Sequence, residues 1–181
     1  MSSFVSRSMC TIVMLFLGAC GSNDTNSVPT SPPIPDPVLS PVTPADAQIS
    51  NLVILSTNSL QDTDGSGINS QLPFAAYLYA QGWPAPKWSP GIFRLDIYPE
   101  STLESRAIPD TKPLGSWIWN SEEALEKRNK NLVGKFYSFI INLNDRDIAI
   151  NGARGFEFLV RFTPSSGEPT VTSAVKTVWV R

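Results

Sequence analysis

The chain has no histidine, only two cysteines, and charges that nearly cancel, 14 basic against 16 acidic side chains in 181 residues. Without histidine the commonest general base is missing, and so are the Ser-His and Cys-His nucleophile arrangements and every imidazole metal site. There is no basic run, and the net charge of −2 gives no footprint for a phosphate backbone. No apolar run approaches the roughly 20 residues that a membrane-crossing helix needs. Each absence removes a function class, and what remains is short apolar runs, prolines and turn residues.

The first such run lies at the N-terminus. Arg7 is the only charge before residue 21, and Met9 to Phe16 is apolar apart from Thr11. A basic start, an apolar core of about 7–15 residues and a small-residue exit describe a secretory signal. The exit is Leu17-Gly18-Ala19-Cys20, which resembles the lipobox of bacterial lipoproteins. The resemblance implies cleavage after residue 19, a diacylglycerol on the Cys20 thiol and acylation of the new amine. By the family's sorting habit in Gram-negative bacteria it also implies the outer membrane, because Gly21 rather than Asp follows the cysteine. One acyl chain binds a bilayer marginally, whereas two or three anchor it stably. Cys10 would leave with the signal, so the mature chain would hold one thiol and no internal disulfide. The alternative is an ordinary secretory signal that ends near a chance cysteine.

Residues 20–47 read as a lipidated cysteine followed by a linker. Pro29, Pro32, Pro33, Pro35, Pro37, Pro41 and Pro44 punctuate a Ser, Asn and Thr background. Proline fixes φ and pushes its predecessor towards extended geometry, which excludes helix. The expected conformation is a disordered, polyproline-II-like spacer rising about 3.1 Å per residue. Pro29-Thr30-Ser31-Pro32 also fits the P-x-x-P pattern of ligands for proline-binding partners.

Residues 48–181 are long enough for one domain with its own core. Apolar and aromatic residues recur at period two between Gly, Pro, Asn and Asp turns, which is the pattern of strands. About seven strands are expected, near 49–56, 74–81, 91–98, 114–120, 135–143, 155–163 and 171–180. The clearest sets Phe156, Phe158, Val160 and Phe162 against Glu157, Leu159 and Arg161. Another puts Phe93, Leu95 and Ile97 inward with Arg94, Asp96 and Tyr98 outward. In the first, Ile49, Val53 and Leu55 would share one face and Leu52 and Ile54 the other. One helix is expected from Ser121, its candidate N-cap, to about Lys130. The fold class is all-β, an antiparallel two-sheet sandwich of immunoglobulin-like or C2-like type. In plan the chain is similar to small lipoproteins that carry one such sandwich behind a proline spacer, a resemblance that brings no activity with it.

Two constellations bear on function. Asp62-Thr63-Asp64-Gly65-Ser66-Gly67-Ile68-Asn69-Ser70 resembles the D-x-D-x-[DS]-G calcium loops of EF-hands and thrombospondin-type repeats. Calcium takes about six to eight oxygens, and alternate residues round a glycine turn supply several of them. On that template the ligands are Asp62, Asp64 and Ser66, the Ile68 carbonyl, and Ser70 directly or through water. Pro73 stands where an EF-hand has its bidentate Glu, so further carboxylates must come from elsewhere. In a sandwich of alternating strands the loops after the first, third and fifth expected strands share one end. Asp145 and Asp147 are therefore candidates to complete a Ca2+ site. The alternative is a plain turn, since Asp and Gly are ordinary turn residues.

The second constellation is Trp83-Pro84-Ala85-Pro86-Lys87-Trp88, at the opposite end. Trp83 and Trp88 would form a platform for a glycan or a protein partner, or else cap the open end of the sandwich. The carboxylate pairs Asp62/Asp64, Glu122/Glu123 and Asp145/Asp147 are the sole raw material for a glycoside hydrolase, and each has a turn or helix-start explanation. No catalytic residue is assigned. The function expected is that of a lipid-anchored, non-enzymatic binding module of the cell envelope, with no cofactor beyond the candidate Ca2+. The alternatives are a structural accessory of an envelope complex and, behind it, a carboxylate-dependent hydrolase.

Overall fold

Alternating apolar side chains dictate that the strands of this chain bury one face, and the structure shows where those faces meet. A computed structural model describes residues 41–63, 65–103, 112–146 and 154–180. Along the described residues run β1 (Ile49–Ser56), β2 (Gln71–Ala80), β3 (Gly91–Pro99), β4 (Gly115–Trp119), α1 (Ser121–Glu126), β5 (Arg128–Lys130) and β6 (Lys135–Asn142). A 3-10 turn (Leu143–Arg146) follows, then β7 (Gly155–Pro164), β8 (Val171–Thr172) and β9 (Lys176–Trp179). All pairings between strands are antiparallel. One sheet has the order β1-β2-β6-β5 and the other β4-β3-β7-β8, with β9 pairing the first part of β7. The expected two-sheet β sandwich is what forms.

The core lies between the sheets. Leu72, Phe74, Ala76 and Leu78 of β2 and Tyr137, Phe139 and Ile141 of β6 face Phe93, Leu95 and Ile97 of β3. Phe156, Phe158, Val160 and Phe162 of β7 complete it as the alternation requires. Aromatic contacts cross the layer: Phe93 lies 5.2 Å from Phe139, and Trp119 lies 4.5 Å from the same ring. Such tilted pairs add to the area that the rings bury.

Four local expectations are corrected. In β1 the register slips between Ile49 and Asn51. That irregularity moves Ile49 onto the buried face with Leu52 and Ile54, and leaves Leu55 exposed. The helix stops at Glu126, because 128–130 pair with β6 instead. A six-residue helix gains little alone, so the open edge of β6 wins the following residues. Its N-cap is Asn120, not Ser121: the Asn120 Oδ1 accepts from the amides of Glu122 (2.9 Å) and Glu123 (3.0 Å). The Glu123 carboxylate returns the contact to the Asn120 amide at 2.8 Å, closing a capping box.

The last expected strand is two strands. The Ser173 amide donates to the Val160 carbonyl (2.9 Å), and the Ser173 hydroxyl accepts from the Val160 amide (3.0 Å). A side chain thus completes the ladder where the backbone steps away, and pairing resumes at Lys176. Outside the second sheet Tyr98, Leu103 and Leu159 bury one another, with Val175 packed against them. On the outward face of β3, Asp96 and Tyr98 are buried while Ile92 and Arg94 stay exposed, a difference that alternation alone does not reveal.

Candidate functional site

Three places on the sandwich bear on function: the two ends and one open side. At the first end the loop after β1 returns beside the turn that follows β6. Gln61 and Gln71 exchange backbone hydrogen bonds (2.8 and 3.0 Å), and the Leu143 amide donates to the Ser70 carbonyl (3.0 Å). β3 also finishes at this end, since Pro99 pairs with Phe156 while Trp179, beside Gly155, donates to Asn58. The topology thus sets the described parts of the three loops at one end. The Asp62 carboxylate accepts from the amides of Ser66 (3.0 Å) and Gly67 (2.8 Å), and the Ser66 hydroxyl accepts from Ile68 (3.3 Å). Gly65 and Gly67 take φ of 73° and 80°, a region that glycine enters without strain. Asp62, Ile68 and Asp145 are exposed and Ser70 is buried. Asp64 and Asp147 lie outside the described residues. Among the described residues no three His, Cys, Asp or Glu side chains gather closely enough to hold a metal.

At the opposite end the Trp83–Trp88 loop folds back on the sandwich. The Trp88 indole donates to the Phe136 carbonyl (3.1 Å) and packs against the main core. Arg128 and Lys135 stand over its ring, 5.6 and 5.0 Å from the centroid, within range of cation–π attraction. Trp83 is half-buried beside the turn, its amide bonded to the Ala80 carbonyl (3.1 Å). Ser89 is fastened to Tyr137, whose hydroxyl donates to the Ser89 carbonyl (2.7 Å) and accepts from its amide (2.9 Å). Burial pushes the Tyr137 phenol above its ordinary pKa, against the opposing pull of the Ser89 and Arg128 contacts. Lys87 is buried, and its ammonium donates to the carbonyls of Ala45 (2.6 Å) and Ala47 (2.7 Å). The Thr43 hydroxyl donates to the Ala85 carbonyl (2.6 Å). The last residues of the stretch assigned to the linker are thus held on this end of the domain.

The open side is the feature that sequence reasoning missed. β1 is an edge strand whose partner among the described strands is β2. Beyond its free edge lies a slot of about 560 Å³, with Ser50–Ile54 as one wall and Thr172–Lys176 as the other, and Leu159 between them. The walls are tied together near both ends of β1. The Ile49 amide donates to Glu168 (3.1 Å), and the Trp179 amide donates to the Asn58 carbonyl (2.8 Å). β1 reads ISNLVILS, without the charge or proline that ordinarily blunts an edge. The signal that points here is that uncharged edge.

The carboxylates with described contacts are tied to partners within the fold. Asp96 is fully buried outside the second sheet and accepts from Arg94 (2.8 Å), Ser116 (2.5 Å) and Arg161. Burial alone would raise its pKa. The hydrogen bonds from Ser116, Arg94 and Arg161, with the Arg161 charge, outweigh that effect and hold the carboxyl below its ordinary range. Glu157 accepts from the Leu103 amide (2.8 Å). No protein-family model and no curated protein matches this chain.

Proposed function

We propose that this chain is an outer-membrane lipoprotein, anchored through Cys20, whose sandwich is a non-enzymatic module that binds an extended polypeptide along β1. The observation that carries the reading is the slot beside an uncharged edge strand. An edge strand presents a row of unpaired amides and carbonyls, and a peptide that adds to it gains ladder hydrogen bonds. Five residues, Ser50–Ile54, line the wall, and at about 3.3 Å each they span about 16 Å. A segment of four or five residues fits that length. The segment needs its own backbone donors, so a proline-rich sequence such as the chain's own 29–44 stretch is a poor occupant.

Selection from a displayed library of random seven-residue peptides tests this. Enriched sequences should lack proline and alternate apolar with polar residues. Their affinity should fall at least tenfold when Ala174→Trp fills the slot from an exposed wall position. A pool with no enrichment, or one whose binding ignores Ala174→Trp, refutes the reading.

A further inference from the structure

The hairpin that joins β5 to β6 carries two apolar residues at its tip. The turn closes through Asn131, whose amide donates to the Gly134 carbonyl (3.0 Å) and whose carbonyl accepts from the Gly134 amide (3.2 Å). Its side-chain oxygen also accepts from the amides of Val133 (2.9 Å) and Gly134 (3.2 Å). The Asn131 side-chain nitrogen donates to the Tyr77 hydroxyl (2.8 Å), fixing the turn to the sheet. This rigid turn holds Leu132 entirely in solvent and Val133 55 % exposed. A tip built this firmly spends no structural contact on Leu132, so the side chain packs on nothing in its own domain.

The surroundings of the tip are basic. From Arg128 to Lys135 the chain reads RNKNLVGK, with three cations and no acid. Two of them, Arg128 and Lys135, are held over Trp88, and Lys130 is exposed. The tip also adjoins the place where the chain enters the domain. Pro41, Val42 and Thr43 share a shallow apolar groove of about 270 Å³ with Pro86, Lys130 and Lys135, and Val42 is 82 % exposed. Gly134 lies so close to Pro86 that an added Cβ would stand 2.8 Å from its ring. The first described residues after the expected lipid anchor and the exposed Leu132 are thus on the same end of the sandwich.

We propose that the Leu132-Val133 tip with Arg128, Lys130 and Lys135 is a reversible docking surface for an anionic lipid bilayer. Apolar side chains that enter the interface gain about 0.8 kcal/mol per buried methylene, and basic residues add attraction to acidic headgroups. Neither term suffices alone for two small side chains and three cations. Together they give contact that untethered protein shows at millimolar lipid, and a tether would strengthen it by raising the local lipid concentration. From Cys20 to Pro41 the chain is 41 − 20 = 21 residues long, or about 65 Å extended at about 3.1 Å each. That length permits the domain to stand well clear of the membrane. The hairpin chooses between standing clear and lying down with the Trp88 end against the lipid.

The test uses residues 21–181 without acyl chains, since every contact described above lies at or beyond Pro41. It is therefore independent both of Cys20 modification and of the peptide slot. Sedimentation with vesicles containing phosphatidylglycerol should show binding that falls as salt rises and is at least tenfold weaker on purely phosphatidylcholine vesicles. Leu132→Ser should weaken it about tenfold, and Lys130→Gln about fivefold. Both sites are exposed, and unchanged thermal unfolding verifies that the variants fold. Equal binding to neutral and anionic vesicles, no binding to either, or binding indifferent to Leu132→Ser overturns the proposal.

Discussion

Asp96→Ala should destabilise the domain through charge rather than volume, and the pH dependence separates the two. The Asp96 carboxylate is completely buried and takes hydrogen bonds from Arg94, Ser116 and Arg161. Truncation leaves Ser116 without that acceptor and strips Arg161, whose Nε already lacks a partner, of its counter-charge. Breaking a buried pair costs about 3–5 kcal/mol. Arg94 is 44 % exposed and rehydrates, whereas Arg161 is only 21 % exposed. The expected loss therefore sits at the low end, about 3 kcal/mol, or about 10 °C in melting temperature for a domain of this size.

The sign of the pH effect follows from linkage. The folded pKa of Asp96 lies below its unfolded value. Its stabilisation is thus complete above the unfolded carboxylate pKa of about 4 and is lost as pH falls through the folded one. Urea unfolding of wild type and Asp96→Ala from pH 7 to pH 2 should give curves that converge below about pH 4. The double variant Asp96→Leu, Arg161→Met should recover most of the neutral-pH loss, because the one charge left without its partner, Arg94, is exposed to water. A difference that stays constant down to pH 2, or one below about 1 kcal/mol at pH 7, would refute the electrostatic account.

Two further perturbations probe the frame. Lys87→Met removes the ammonium that holds the Ala45 and Ala47 carbonyls. Charged hydrogen bonds are worth about 1.5–3 kcal/mol each, partly offset by relief from burying a charge. Exchange of the Ala47 amide should accelerate about tenfold or more while the global urea midpoint barely moves; unchanged exchange would mean that Lys87 does not hold the entering chain. Gly91→Ala places a Cβ 2.5 Å from the Thr163 carbonyl oxygen and 2.6 Å from the Phe162 ring. Backbone cannot yield as a side-chain tip can, so urea unfolding should show a loss of about 2–3 kcal/mol, and a loss under 0.5 kcal/mol would show that β3 and β7 slide apart freely.

The acidic loop and the tryptophan loop were both legible in the sequence as places, because glycine, aspartate and proline mark turns wherever they cluster. Their partners were not. That Asp62 caps its own loop, or that Trp88 gives its indole hydrogen to Phe136, depends on what the fold brings near. The slot beside β1 was legible only as an uncharged strand, for its second wall is 120 residues away in the chain, Thr172 against Leu52.

Period-two alternation by itself determined that the chain forms an antiparallel sandwich, which side chains of β3 and β7 enter the core, and where most strands begin and end. Side-chain direction in a strand is a local property, fixed by backbone geometry, so sequence carries it in full. Tertiary structure alone decided the rest. The open edge of β6 turned the end of an expected helix into β5. The irregularity at Ser50 brought Ile49 onto the buried face of β1, and the step at Ser173 cut one strand into β8 and β9. Tyr98, outward on β3, is buried against Leu103, Leu159 and Val175, and Asp96 is buried among Arg94, Ser116 and Arg161. In each case the outcome was set by a pairing or packing partner outside the segment itself, and such partners leave no periodic trace in the sequence.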